Sequence, residues 1–185
     1  MKTALFVDFE DSFSFNVVQE LTEAGFLVDV IKWFDLNRSD DYDLLVLGPG
    51  PGHPDDYANI YSIVRERLTS QKKIFGVCLG HQMIWSIKGC KIGGACLPLH
   101  GQRARFFLNE SWQNWLGLPQ EIWVQRYNSL AVKVDEVNFE GDALVVDGEL
   151  MMYRDQSVIS YQFHPESMGT NCRQSFFRPL LRDLL

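Results

Sequence analysis

The amino-acid sequence predicts an α/β fold: an open, mostly parallel sheet with helices on both faces, and a smaller antiparallel extension in the second half. Two observations carry this. Up to about residue 88, short apolar runs alternate with stretches of helical periodicity, the pattern of parallel strands joined by crossover helices. Beyond that point short strand-like runs follow one another, separated by Gly, Asp, Asn and Pro. A chain of 185 residues, 46% hydrophobic and 22% charged, suits one folded domain over residues 1–185 rather than a disordered chain or a coiled coil.

Thr3 to Asp8 (TALFVD) is short, apolar and partly β-branched, and reads as a buried strand. From Ser12 to Ala24 the apolar residues Phe13, Val17 and Leu21 recur at helical spacing, and Gly25 supplies a C-terminal stop. Strands are predicted over Phe26–Ile31 and Asp43–Leu47, a helix over Tyr57–Leu68, a strand over Lys73–Val77 and a short helix over His81–Lys88 closed by Gly89. In the second half Lys91–Cys96, Arg103–Phe107, Glu121–Arg126, Leu130–Val134, Ala143–Val146 and Val158–Phe163 are strand candidates. The last of these is expected to return to the main sheet. Phe106 to Pro119 reads as a loop or short helix whose Trp112 and Trp115 serve packing. Ser175–Leu185 reads as a terminal helix, with Pro179 near its start or kinking it.

The formal charge of -7, with arginines scattered rather than clustered, argues against sequence-independent nucleic-acid binding, which needs basic surface. No apolar run approaches the roughly 18 residues of a membrane span. Met1 to Asp11 lacks the basic start and apolar stretch of a secretory signal. The expectation is a cytoplasmic protein with no membrane contact. Cys78, Cys90, Cys96 and Cys172 include no CxxC pair, in keeping with free thiols.

Chemistry concentrates in Ile74 to Gln82, IFGVCLGHQ. An apolar strand runs through Gly76-Val77-Cys78-Leu79-Gly80 into a helix, the setting of a nucleophile elbow with Cys in place of Ser. Glycines two places to either side relieve the clashes of so tight a turn. The turn lifts the Cys78 sulfur to the carboxyl edge of the sheet, where ligands of open α/β sheets bind. It also sets the sulfur at a helix N-terminus, where the dipole and free N–H groups favour a thiolate.

A cysteine nucleophile requires a base. Of the four histidines, His53, His81 and His100 are read as structural. His164 ends the Val158–Phe163 run and is followed by Pro165 and Glu166. A histidine at a strand's carboxyl end reaches the same edge as Cys78, and Glu166 is placed to fix its tautomer. No histidine pair has zinc-ligand spacing, so no metal is expected. The loop Gly48-Pro49-Gly50-Pro51-Gly52 allows close backbone approach to a ligand. With the Leu79 N–H it is a candidate oxyanion hole. It lacks the Lys-Ser/Thr ending of a phosphate loop.

In this order and spacing, GPGPG, GVCLGHQ and FHPES resemble the class I (triad) glutamine amidotransferases, in particular the small-subunit type of anthranilate synthase and aminodeoxychorismate synthase. Asp8 with Asp11-Ser12-Phe13 and Asn16, His100-Gly101 and Arg126-Tyr127-Asn128-Ser129-Leu130 are further marks, and the likeness spans nearly the whole chain. The resemblance implies a flavodoxin-like sheet and a glutaminase. Cys78 would attack the side-chain amide of glutamine, His164 would manage the protons, and Glu166 would orient His164. A γ-glutamyl thioester would form, with glutamate and ammonia as products. Gly50 and Leu79 would supply the oxyanion-hole N–H groups. Gln82 and the backbone at Ser129 and Leu130 would hold the polar ends of glutamine, and Pro51 and Gly52 would shape the pocket. The implied partner is a larger chorismate-binding synthase subunit that uses magnesium and makes anthranilate or 4-amino-4-deoxychorismate; this chain would carry no cofactor.

Two positions depart from the family pattern: Phe9 stands where Asn is usual, and Asn128 stands where His is usual. Both lie in motifs expected near the partner-facing side. Other functions fit the same residues: a stand-alone Cys-dependent γ-glutamyl hydrolase, a catalytically silent amidotransferase-like binding subunit, or an amidotransferase of the same class serving another pathway.

Overall fold

The computed structural model describes residues 1–39, 41–134 and 139–184. Its elements in chain order are β1 (Thr3–Asp8), α1 (Ser14–Ala24), β2 (Leu27–Lys32), β3 (Leu44–Leu47), α2 (Tyr61–Thr69), β4 (Ile74–Val77) and α3 (Leu79–Ile87). There follow β5 (Lys91–Phe107), α4 (Glu110–Leu116), β6 (Glu121–Lys133), β7 (Asp142–Val146), β8 (Glu149–Arg154), β9 (Val158–Tyr161) and α5 (Gln174–Arg182). The strands form one sheet in the order β2-β1-β3-β4-β9-β8-β6-β5, with β7 beside β8. From β2 to β9 every pairing is parallel. The remaining pairings are antiparallel. The predicted α/β class and the return of the last strand to the main sheet are both present.

Alternation along the strands builds two cores. On β1, Ala4 and Phe6 face one side, where Val17 and Leu21 of α1 and Phe176 and Phe177 of α5 pack. Leu5 and Val7 face the other, against Val64 of α2 and Met83 and Ile84 of α3. Trp112 is fully buried and Trp115 nearly so, in line with a packing role.

Several boundaries differ from expectation, each with a local cause. Helix α1 starts at Ser14 rather than Ser12 because two carboxylates organise the chain before it. Asp8 accepts from the Glu10 N–H at 2.8 Å and the Ser14 hydroxyl at 2.6 Å, and Asp11 accepts from the Phe13 N–H at 2.8 Å. The predicted Tyr57–Leu68 helix divides into a 3₁₀ segment, Pro54–Ile60, followed by α2. His53 caps that segment: its ring accepts from the Asp55 N–H, while Asp56 accepts from the His53 N–H. The helix after Cys78 begins at Leu79, two residues earlier than expected.

Lys91–Cys96 and Arg103–Phe107 are parts of one irregular strand, β5. Register shifts between Gly94 and Leu99 and between His100 and Gln102 absorb Pro98 and Gly101. Glu121–Arg126 and Leu130–Val134 likewise merge into β6. Strand β8 is absent from the sequence-based prediction. Its run Leu150-Met151-Met152-Tyr153 is buried on both faces, so no alternation marks it. The signal lies just before it, in Asp147-Gly148. Both residues have positive φ (52° and 73°) and form the two-residue turn between the paired Val146 and Glu149. Leu185, included in the predicted terminal helix, lies outside the described residues.

Candidate active site

The site forms where β4 and β9, adjacent and parallel with Val77 opposite Tyr161, reach the carboxyl edge of the sheet. Cys78 follows β4 directly. Its φ of 52° and ψ of -100° are strained for a non-glycine residue, and its N–H donates to the Tyr161 carbonyl at 2.8 Å. The flanking glycines are sterically required. A Cβ on Gly80 would lie 2.1 Å from the Leu47 carbonyl oxygen, and one on Gly76 would lie 2.8 Å from the Gly80 backbone. Leu79 opens α3, so its N–H has no acceptor within the helix.

The strand β9 leads through Gln162 and Phe163 to His164, whose N–H bonds the Gln125 carbonyl of β6 at 2.9 Å. The His164 Nδ1 lies 2.7 Å from Glu166 Oε1, and both side chains are buried. The second ring nitrogen is thereby free to face the sulfur. Phe13 and Tyr127 meet the imidazole edge-on, with centroids at 5.3 and 4.9 Å. Burial disfavours the charged imidazole. Against that, the Glu166 carboxylate and a charge and hydrogen-bond interaction with Cys78 hold His164 well above the ordinary histidine range.

Cys78 opens onto a cavity of about 460 Å³. Gly50, Pro51, Gly52, Gln82, Ser129 and Leu130 all line it, as do His53, Tyr127 and Asn128. The structure therefore brings together every sequence-predicted pocket residue. Gly50 is pressed between two side chains: a Cβ there would sit 2.5 Å from both Leu79 Cδ2 and Phe9 Cβ. That packing draws the glycine-rich loop against the start of α3. The Gln82 side-chain N–H groups donate to the Leu130 carbonyl at 2.9 Å and to Gln162 Oε1 at 3.1 Å. Both of its donors are used, which leaves the Gln82 carbonyl oxygen as its acceptor.

The two departures from the family pattern are both buried side chains. Phe9 is 1% exposed and packs edge-on against Tyr57 with centroids 5.0 Å apart. Asn128 is 3% exposed. It accepts from Arg126 Nε at 3.0 Å and donates to the Leu130 carbonyl at 2.9 Å. An apolar ring against the loop and an amide between two backbone-fixing partners are both interior tasks. His81 is structural, as expected: its ring nitrogens lie 2.9 Å from the Ser160 hydroxyl and 3.0 Å from the Leu150 carbonyl. His100 approaches the Ser129 hydroxyl at 3.0 Å on the surface.

The residue that sequence reasoning missed is Gln162. It is fully buried, and its amide nitrogen lies 3.8 Å from Cys78 Sγ. Its two-residue offset from His164, inside a strand-like run, was the available signal. Among the described residues no group of three or more His, Cys, Asp or Glu is arranged to hold a metal ion, and no helix is long and apolar enough to cross a membrane.

Comparison with known proteins agrees with this architecture. The glutamine amidotransferase class-I family profile matches residues 5–184. The chain belongs to that family. It is 37% identical over 177 residues to an aminodeoxychorismate synthase of Streptomyces griseus, matching 92% of this chain and 24% of that longer protein. It is 32% identical over 188 residues to anthranilate synthase component 2 of Leptospira biflexa, covering 90% of this chain and 92% of that one. Among solved structures, a glutamine amidotransferase from Thermotoga maritima superposes with a TM-score of 0.74 at 16% identity, covering 89% of this chain and 76% of that one.

Proposed function

We propose that this chain is the glutaminase subunit of a chorismate-utilising synthase. The observation that carries the reading is the buried Glu166–His164 pair interacting with a strained Cys78 on the wall of a cavity with room for glutamine. In this reading the Cys78 sulfur attacks the glutamine side-chain carbonyl while the sulfur's proton resides on His164. The Gly50 and Leu79 N–H groups stabilise the negative oxygen of the tetrahedral intermediate. His164 then protonates the departing nitrogen, ammonia leaves, and the γ-glutamyl thioester remains. Water, deprotonated by the same imidazole, hydrolyses the thioester to glutamate and regenerates the thiol. The Gln82 oxygen receives the substrate ammonium, and the backbone at Ser129 and Leu130 holds its other polar end.

Ammonia protonates in water, so it is best used by an enclosed acceptor. The synthase names of the relatives support a large chorismate-binding subunit in that role. The test is a glutaminase assay of the chain alone and with candidate large subunits plus chorismate, followed by identification of the aromatic product. Glutamine-dependent formation of anthranilate or aminodeoxychorismate, lost in Cys78→Ser, is expected. Unchanged glutamine turnover by the Cys78→Ser complex would sink the reading.

A further inference from the structure

We infer that Gln162 is a positioning residue that couples the nucleophile to the substrate-holding amide of Gln82. This rests on the glutaminase reading above. Gln162 is wholly buried and its two amide ends point to different parts of the site. Its nitrogen donates toward Cys78 Sγ at 3.8 Å, a length suited to a large sulfur acceptor. Its oxygen accepts from Gln82 Nε2 at 3.1 Å. Gln82 has one further donor, and it is taken by the Leu130 carbonyl at 2.9 Å.

The consequence is orientational. A side-chain amide turned by 180° exchanges donor for acceptor. Gln82 cannot turn in this way, because its oxygen would then confront two acceptors, the Gln162 oxygen and the Leu130 carbonyl. Gln162 itself is held by the sulfur at one end and by Gln82 at the other. The Leu130 carbonyl is fixed from a third direction by Asn128, which Arg126 orients in turn. The chain of contacts runs from Arg126 through Asn128, Leu130, Gln82 and Gln162 to Cys78. It has two outputs: an N–H aimed at the sulfur and an acceptor oxygen presented to the cavity.

Two substitutions separate these outputs. Gln162→Glu keeps an oxygen for Gln82 Nε2 but removes the N–H donor and turns a like charge toward a thiolate. Gln162→Met removes both contacts at similar volume. With the chain assembled with its synthase subunit, Gln162→Glu is expected to leave the KM for glutamine within about threefold and to lower kcat by about 10-fold or more, the worth of a hydrogen bond to a charged group. Gln162→Met is expected to lower kcat and also to raise KM by about 10-fold. A second readout needs no turnover: iodoacetamide capture of Cys78, read by peptide mass, should slow about threefold or more in Gln162→Glu, since capture follows the reactivity of the thiolate. If Gln162→Met fails to fold, kcat and alkylation of Gln162→Glu decide alone. Kinetics within twofold of the parent in the folded variants, or the same kcat and KM losses in both, overturn the inference. Absence of glutaminase activity in the parent complex would instead overturn the functional reading, and alkylation would still report on the Gln162 contact.

Discussion

At the scale of single residues, the site depends on atoms that are missing as much as on those present. Gly80 has no Cβ because the Leu47 carbonyl occupies its place. Gly80→Ala is expected to destabilise the chain by about 1–3 kcal/mol or more, seen as a lower urea midpoint at unchanged slope; an unchanged midpoint would contradict the packing described. Cys78 holds its strained backbone because Tyr161 fixes its N–H and because the glycines leave room. The imidazole–carboxylate pair supports a second expectation, on graded loss. His164→Asn should lower glutaminase activity by at least about 10³-fold, and Glu166→Gln by less, because the orienting residue of a triad contributes less than the base. Equal losses measured as kcat would contradict the assigned roles.

Among the elements, β6 meets the rest of the sheet at Gln125 opposite His164 and at Lys133 opposite Glu149. Among the described residues, the paired position between β6 and β8 is Lys133 opposite Glu149. Glu149 is 1% exposed. It takes Lys133 Nζ at 2.6 Å and the Cys96 N–H at 2.5 Å, and it faces Arg126 at 3.8 Å. Burial opposes its charge, and the bonds from Lys133 and Cys96 overcome that and hold the carboxyl below its ordinary range. Glu149→Ala leaves two cations without their buried partner and should cost about 3–5 kcal/mol. Hydrogen exchange should rise first in residues 91–107 and 121–133, with β1, β3 and β4 protected longest. A uniform rise across the sheet would contradict this reading of the connections.

The legibility of the elements followed the same division. The parallel half was readable because each strand there is short, apolar and bounded by a glycine or a helix. Strand β8 escaped because burial on both faces erases the alternation that identifies a half-exposed strand. β5 appeared as fragments because bulges at Pro98 and Gly101 interrupt the period without ending the pairing, and β6 because the polar Asn128-Ser129 pair interrupts its apolar pattern. In the site, Cys78, His164 and the loop residues were legible because turn chemistry and chain order mark them. Gln162 was not, because its two-residue offset from His164 gains meaning only once β9 is laid beside β4 and the amide is seen to reach Cys78. The inward placement of Phe9 and Asn128 likewise depends on tertiary contacts with Tyr57 and Arg126.

For the whole molecule, His81 joins the two halves, linking α3 to Ser160 of β9 and Leu150 of β8. Its complete burial pushes its pKa down to about 3, only partly offset by the Leu150 carbonyl. An unfolded histidine titrates near 6.5. The stabilisation it confers is therefore complete above about pH 6.5 and is lost as pH falls toward 3, at up to about 1.4 kcal/mol per pH unit. His164 is shifted the other way, so it is charged in both states below its unfolded pKa and adds no slope there. Urea unfolding from pH 6.5 to 5 should show the parent losing about 2 kcal/mol more than His81→Gln. Parallel stability profiles for the two proteins would contradict a neutral, buried His81.

The central claim is that glutamine is opened by covalent attachment to one sulfur. The direct measurement is rapid acid quench of the assembled complex during turnover, followed by peptide mass spectrometry. One γ-glutamyl group on the peptide that carries Cys78, appearing only with glutamine and absent in Cys78→Ser, is the predicted result. Ammonia release with the label on another residue, or persisting unchanged in Cys78→Ser, would contradict it.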